Sequence, residues 1–472
     1  MEKLTVQEIV NAVSGKLLDG SEQTIVTNIC IDSRDAGEGS LFVPIIGERV
    51  DAHKFIGQVF ENGAAAVLTS RGEVVCEGKP HILVEDTQKA LGDLAVWYKS
   101  RFQIPFIGIT GSVGKTSTKE MIAAALSAKY NVLKTAGNQN SNIGVPLTLF
   151  RLEKCHEIGV VEMGISDFGE MSELADFVHP ETAVVTNIGV AHLGQFKTRE
   201  NIMAEKLQIA RHFDKNNVLY VNSDNDLLKT IADGSCDDLR LAFLKDKHVV
   251  SFSVSGSGEY HAENIHIKDG RQCFDFVHEN LRMPVSMLQL GIHNVSNAVV
   301  ALAVAEHYGI APEDAKAGVE AYAGIAMRQQ VNHLSHGIKV IDDTYNASPD
   351  SIISGVQVLV SLDNTGRKIA CLADVLELGD QSWQCHYDTG AAIAALPIDE
   401  VIGVGPMTEA LLKGIQDHAP QIATVHFENN EAAAAYINSR LGDGDALLCK
   451  GSRGMHQEEI VAAIVKQWGD EK

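Results

Sequence analysis

The chain has no Cys-x-x-Cys pair, and none of its 8 cysteines is paired with histidine at zinc-finger spacing. That argues against a thiolate zinc module or a dithiol redox centre and leaves reduced thiols of a cytoplasmic protein as the expectation. Long apolar runs are missing too. The longest extends only from Ala298 to Ala305, far short of the roughly 20 residues a membrane helix needs. The start, Met1 to Glu8, has no cleavable apolar core, so neither export nor membrane insertion is expected. Basic residues are scarce: 39 Lys and Arg stand against 62 Asp and Glu, for a net charge of −23. Such a field opposes a nucleic acid duplex or an anionic membrane as the main ligand, although local phosphate binding stays open. There are no internal repeats and no low-complexity tracts.

What is present reads as an ordinary globular α/β protein, with 45% hydrophobic and 21% charged residues in 472, a length that suggests about three domains. Residues 1–103 alternate short strand-like segments with a helix-like pattern at 90–98, a small N-terminal α/β unit. Over 104–325 strands and helices alternate, which implies a parallel sheet with helices on its faces. Strand-like alternation over 249–290, with a turn at Asp269-Gly270, adds an antiparallel flap. Residues 294–308 read as a buried apolar helix. Residues 326–472 alternate again, as a Rossmann-like, doubly wound α/β domain.

The centre of this plan is Phe106 to Thr118. An apolar strand runs into Thr110-Gly111-Ser112-Val113-Gly114-Lys115-Thr116-Ser117 and then a helix. The glycines let backbone N–H groups converge at a helix N-terminus, where a phosphate is favoured. Lys115 adds a full charge for the outer phosphates, and Thr116 offers a hydroxyl to magnesium. Ile109 stands where the common G-x-x-x-x-G-K-[ST] spacing has its first glycine.

Other candidates lie on the loops that follow strands, where ligands meet such sheets. Glu162 ends an apolar strand beside the cradle and suits Mg²⁺; the alternative is a strand-end acid in solvent. His192, in the loop after 182–188, is either a metal ligand or a hydrogen-bonded structural residue. Lys206, in a helix-like stretch 201–212, reads by itself as a solvated lysine. Asn294 and Asn297 share a helix face and are suited to a base or ribose, unless Asn294 is the helix N-cap. Arg328 with Asp342-Asp343 either closes over the cradle, stabilising a transferring phosphoryl group, or forms an interdomain salt bridge. Asp32-Ser33-Arg34 and Asp51-Ala52-His53 occupy loops of the first unit, where Arg34 is able to pair bidentately with a diphosphate.

These stretches, with Gly137-Asn-Gln-Asn-Ser-Asn-Ile-Gly-Val-Pro146, Glu162-Met-Gly164, His293-Asn-Val-Ser-Asn-Ala298 and Lys450-Gly-Ser-Arg-Gly454, resemble the Mur ligases of peptidoglycan precursor synthesis. Within that family, Asp342 to Asp350 and Val375-Leu-Glu-Leu-Gly379 look like the branch that joins D-alanyl-D-alanine to a UDP-N-acetylmuramoyl-tripeptide. The resemblance implies a UDP-sugar-binding domain, a central ATPase domain and a C-terminal domain for the amino substrate, in a cytoplasmic monomer. It implies ATP and two Mg²⁺ ions, with Thr116, Glu162, His192 and Lys206 as metal-holding residues, Lys206 as a carbamate. Lys115, Glu162, His192, Lys206 and Arg328 would be catalytic. The cradle residues, Asn294, Asn297, Arg328 and Asp343 would hold nucleotide. Ser33, Arg34, Asp51, His53, Asn138, Asn140, Tyr345, Asn346 and Arg453 would hold substrate. A sibling ligase of the family with a different amino acid acceptor is the first competing expectation, and a nucleotide-binding protein that keeps the fold without turnover the second.

Overall fold

The computed structural model describes residues 1–47 and 49–469. Phe106–Thr110, Ile158–Glu162 and Thr182–Val185 are buried at every position, as strands must be when helices cover both faces of a parallel sheet. They are adjacent interior strands of a nine-stranded sheet, close to one of its edges. Thr182–Val185 and Ile158–Glu162 flank the Phe106–Thr110 strand, both parallel to it. Val132–Lys134 forms one edge. On the other side come Val218–Asn222 and His248–Ser253, also parallel.

The antiparallel part expected on the central unit is present. His248–Ser253 runs parallel to both Val218–Asn222 and Tyr260–Lys268, and antiparallel pairing is confined to the hairpins in which Arg271–His278 runs against Tyr260–Lys268 and Leu281–Met287. Asp269 and Gly270 both have positive φ, 51° and 73°, which a two-residue turn between twisted strands requires. The hairpins therefore lengthen the main sheet, and the helix Ile292–His307 packs its apolar surface beneath them and beneath the cradle helix Lys115–Leu126. That helix starts at Ile292 with Gly291 as its N-cap, so Asn294 lies inside its first turn and is not the cap.

In the first unit Asn28–Cys30, Ser40–Phe42, Ala66–Thr69 and His81–Leu83 form a parallel run, with Lys16–Asp19 antiparallel at the edge. Asp86 caps the helix Thr87–Lys99 by accepting from the N–H groups of Gln88 and Lys89. This helix shares one apolar cluster with Leu149, Phe150 and Leu174 of the central unit. The buried Tyr98 hydroxyl accepts from Glu2 N–H at 2.7 Å and donates to Leu152 O at 2.7 Å.

The last unit has a six-stranded sheet in the order Gln330–His333, Lys339–Asp342, Ala446–Lys450, Lys368–Ala373, Glu400–Val404, Ala423–Phe427, parallel except for its first edge. The helix Ser382–Ile393 carries only a weak apolar stripe and was not expected from sequence. It forms because it lies against Thr408–His418 at backbone contact. A Cβ on Gly390 would come 1.9 Å from Leu411 O, and one on Gly414 2.2 Å from Tyr387 O. Gly390→Ala is therefore expected to force the helices apart and destabilise this unit by about 1–3 kcal/mol. Scanning calorimetry reads this as a lower midpoint, and an unchanged thermogram would contradict it. Among the described residues no helix is long and apolar enough to cross a membrane.

Candidate active site

The strand Phe106–Thr110 delivers the chain into the cradle. Gly111 has φ 149°, and a Cβ there would lie 1.9 Å from Thr186 Oγ1. Gly114, at φ 85°, begins the helix Lys115–Leu126 with no side-chain cap, so the first N–H groups of that helix are left for a ligand. The loop is braced from the neighbouring strand end. Ser112 N–H donates to Asn187 O at 3.0 Å, Val113 N–H to Asn187 Oδ1 at 2.9 Å, and Thr186 Oγ1 to Val113 O at 2.5 Å. Ser112 Oγ accepts from Gly189 N–H at 2.9 Å. Lys115 folds back over the loop, donating to Gly111 O at 2.8 Å. Burial, and then the charge of Arg328, hold its pKa below the ordinary lysine value, while Glu162 pulls the other way.

Glu162 closes the floor. Its Oε1 accepts from Thr116 Oγ1 at 3.2 Å and from Asn140 Nδ2 at 2.8 Å, whereas Oε2, buried, has no hydrogen-bond partner. An orphaned carboxylate oxygen beside a threonine hydroxyl and a phosphate cradle fits Mg²⁺, which takes one or two protein oxygens and completes its shell with phosphate and water. Among the described residues no cluster of three or more His, Cys, Asp and Glu forms a metal cage. Asn140 braces Glu162, and Asn138 is exposed on the same loop. Lys119 was not expected here. It is buried one turn beyond Lys115, with its Nζ 3.7 Å from Glu162 Oε2; the four-residue spacing that puts both lysines on one helix face was the available signal.

Lys206 is not the solvated lysine its surroundings in sequence suggested. It ends the helix Arg199–Lys206 and is 3% exposed. The helix is shorter than the 201–212 stretch implied, because the chain tightens into a 3₁₀ turn at Leu207–Ala210. Burial first, and then the charge of Lys115, hold the Lys206 amine well below its ordinary pKa. The acids near it face elsewhere: Glu205 accepts from the N–H groups of Gly169 and Met171, and Glu170 from those of Ser166 and Asp167. His192, with φ 59°, has its Nδ1 2.9 Å from Glu377 Oε2 of the last unit. Burial lowers its pKa, Glu377 opposes this, and the charges of Lys206 and Lys115 add to it.

The last unit reaches the same cleft by other contacts. Asp350 Oδ2 lies 2.3 Å from where a Cβ of Gly189 would stand, next to Ser112. In this arrangement the Arg328 guanidinium stacks on the Tyr345 ring, 4.3 Å from the centroid, and its charge reaches Lys115 in the cradle. Met327 and Gln329 on either side have positive φ, 61° and 52°. Asp343 pairs instead with Lys450, 2.7 Å away and inside the same unit. Lys450 also donates to Asn346 O at 3.0 Å, and Arg453 N–H donates to Asn346 Oδ1 at 3.4 Å. Asp343, Tyr345, Asn346, Lys450 and Arg453 thus gather at the ends of two adjacent strands.

Asn294 and Asn297 face protein, not open space. Asn297 accepts from Thr118 Oγ1 at 2.9 Å and donates to Asn294 Oδ1 at 3.3 Å, and Asn294 donates to Leu290 O and to Gln329 Oε1. In the first unit His53 is 4% exposed, with Nδ1 2.7 Å from Asp51 Oδ1 and Nε2 3.1 Å from both Ser70 N and Oγ. Both ring nitrogens are thus engaged within the protein. Asp51 also holds Arg71. Exposed Arg34 pairs with Asp32, whose carboxyl is held at about 2 by the hydrogen bonds from Arg34. Ser33 lies half-buried between them.

The chain matches the family model for the Mur ligase family catalytic domain over residues 25–98, the Mur ligase middle domain over 109–305 and the Mur ligase glutamate ligase domain over 327–453. It is 35% identical over 477 residues, 99% of each chain, to the UDP-N-acetylmuramoyl-tripeptide–D-alanyl-D-alanine ligase of Bacillus subtilis. To the enzyme of the same name in Escherichia coli it is 32% identical, covering 98% of this chain and 99% of that one. A crystal structure of MurF from Acinetobacter baumannii superposes with TM-score 0.89 at 33% identity, covering 99% of both. MurF of Thermotoga maritima in complex with ADP superposes with TM-score 0.81 at 28% identity, covering 94% of this chain and 98% of that one. With all three segments matched in order and a phosphate cradle at their centre, the chain belongs to the Mur ligase family.

Proposed function

We propose that this protein joins D-alanyl-D-alanine to the free carboxylate of a UDP-N-acetylmuramoyl-tripeptide, consuming ATP and releasing ADP and phosphate, as a monomer in the cytoplasm where precursor and ATP meet. The observation that carries this reading is the end-to-end likeness to ligases named for that reaction.

A carboxylate resists attack by an amine, so the tripeptide carboxylate first takes the γ-phosphoryl group of ATP as an acyl phosphate. The dipeptide amine then attacks the carbonyl carbon, and phosphate leaves. No nucleophilic side chain is needed, and the protein contributes position and charge. The N-terminus of the helix Lys115–Leu126 binds the phosphates. Lys115, leaving Gly111 O, follows the γ-phosphoryl group, and Arg328, leaving Tyr345, adds a second charge. Thr116 and Glu162 would hold Mg²⁺, which when bound neutralises phosphate oxygens. His192 and Lys206 would serve a second ion. An uncharged buried amine is the form that reacts with carbon dioxide, and a carbamate at Lys206 would replace a repelling ammonium with oxygens and negative charge. Arg34, Asp51 and Asn138 would contact the UDP-sugar and peptide, and Tyr345, Asn346 and Arg453 the incoming dipeptide.

The test is acceptor choice. With ATP, Mg²⁺ and a UDP-N-acetylmuramoyl-tripeptide, phosphate release is expected with D-alanyl-D-alanine and with no single amino acid, and mass spectrometry should find the pentapeptide. Turnover with L-alanine, D-glutamate, lysine or diaminopimelate would move the protein to another branch of the family.

A further inference from the structure

Lys119 is a charged side chain with 1% exposure that the reaction above does not use. Its Nζ donates to Thr135 O at 2.8 Å, lies 3.1 Å from Glu120 Oε1 and faces the orphaned Glu162 Oε2 at 3.7 Å. The last distance is too long for a hydrogen bond, so the two interact through charge alone. The other Glu162 oxygen is fixed by Thr116 and Asn140, so Lys119 is not needed to orient that carboxylate. A buried ammonium is costly, and a methionine would fill the same space.

We propose that Lys119 balances the charge of Glu162 while nucleotide is absent and thereby makes divalent-metal binding depend on nucleotide. This rests on the reading of Glu162 as a metal ligand. A doubly charged ion on Oε2 would sit within a few ångströms of a cation in a partly dry site, where like charges repel strongly. The phosphates of a bound nucleotide bring enough negative charge to outweigh that repulsion. The metal then enters with the nucleotide, and an ion without phosphate is excluded. Lys119 touches neither substrate nor reacting atoms, so it is a positioning residue.

The probe is Mn²⁺, with its free concentration read by electron paramagnetic resonance on the full chain, with and without a non-hydrolysable ATP analogue. The unchanged protein should bind Mn²⁺ far more tightly with the analogue. Lys119→Met is expected to tighten nucleotide-free Mn²⁺ binding about tenfold or more, narrowing that gap, while Lys119→Arg, which keeps the charge, leaves it nearly as wide. A purely structural lysine predicts weaker or unchanged Mn²⁺ binding in Lys119→Met, and either result overturns the proposal. If Lys119→Met does not fold, Glu120→Gln decides. It removes the other carboxylate that shares the ammonium and should weaken nucleotide-free Mn²⁺ binding, and an unchanged affinity overturns the proposal. Glu162→Gln separates the two levels. If it binds Mn²⁺ with the analogue as tightly as the unchanged protein, the metal reading of Glu162 fails. If it loses that binding while Lys119→Met behaves like the unchanged protein, only the role of Lys119 fails.

Discussion

Lys206→Ala is expected to release phosphate at least about a hundredfold more slowly than the unchanged protein, with part of the rate restored by acetate or propionate. The amine is 3% exposed and held well below its ordinary pKa by burial and by the charge of Lys115. Neither nearby acid is turned toward it, since Glu205 and Glu170 both accept from backbone N–H groups at the start of the helix Glu170–Val178. As an ammonium it would repel a metal and a triphosphate-bound cation alike; as a carbamate it offers oxygens to them. A small carboxylate diffusing into the space that the truncated side chain vacates supplies the same oxygens without the tether, so recovery should be partial and saturable. Carbon-13 NMR after exposure to labelled bicarbonate gives an independent reading, with a carbamate signal in the unchanged protein that is missing from the variant. A variant as fast as the unchanged protein would remove the carbamate from the reaction.

Lys115→Ala is expected to slow acyl-phosphate formation by about 10²–10³-fold in a single turnover, the range for losing one fixed charge on a developing anion. Its ammonium lies in the mouth of the cradle, bonded to Gly111 O at 2.8 Å and more loosely to Ser112 O at 3.4 Å. Those carbonyls are weak competitors for a phosphate oxygen. Lys115→Arg should rescue little, because a planar guanidinium does not fit where a compact ammonium reaches back to the residue four before it. The readout is ADP formed per enzyme on rapid mixing with ATP and tripeptide, without the dipeptide. A loss of less than about threefold would mean that charge at this position does not assist transfer.

How far the candidate site was legible depended on whether a residue acts through local chain geometry or through a distant partner. The cradle was legible because strand, glycine turn and helix follow one another within a few residues, and each carries its own signal. Lys119, Asn187 and Glu377 were not, because what matters about them is a neighbour far along the chain: Glu162, Val113 and His192. Lys206 shows the difference most sharply. Its composition and position suit a solvated face, and only packing shows it to be buried. Asn294 and Asn297 show the reverse, since side chains suited to a nucleotide base are engaged with Thr118 and Gln329.

By itself the sequence determined the alternation of strands and helices, the phosphate-binding turn, the apolar strand leading to Glu162 and the family to which the motifs are similar. These depend on period, on glycine at positions that need it, and on residue types at short spacing. Tertiary structure alone decided which oxygen of Glu162 is left without a partner, which lysine is buried beside it, and that the hairpins continue the central sheet. It also decided that Ser382–Ile393 is a helix, through the glycine contact with Thr408–His418. Burial and pairing are properties of neighbours brought together by folding, and a one-dimensional pattern carries them only where those neighbours are also close in the chain.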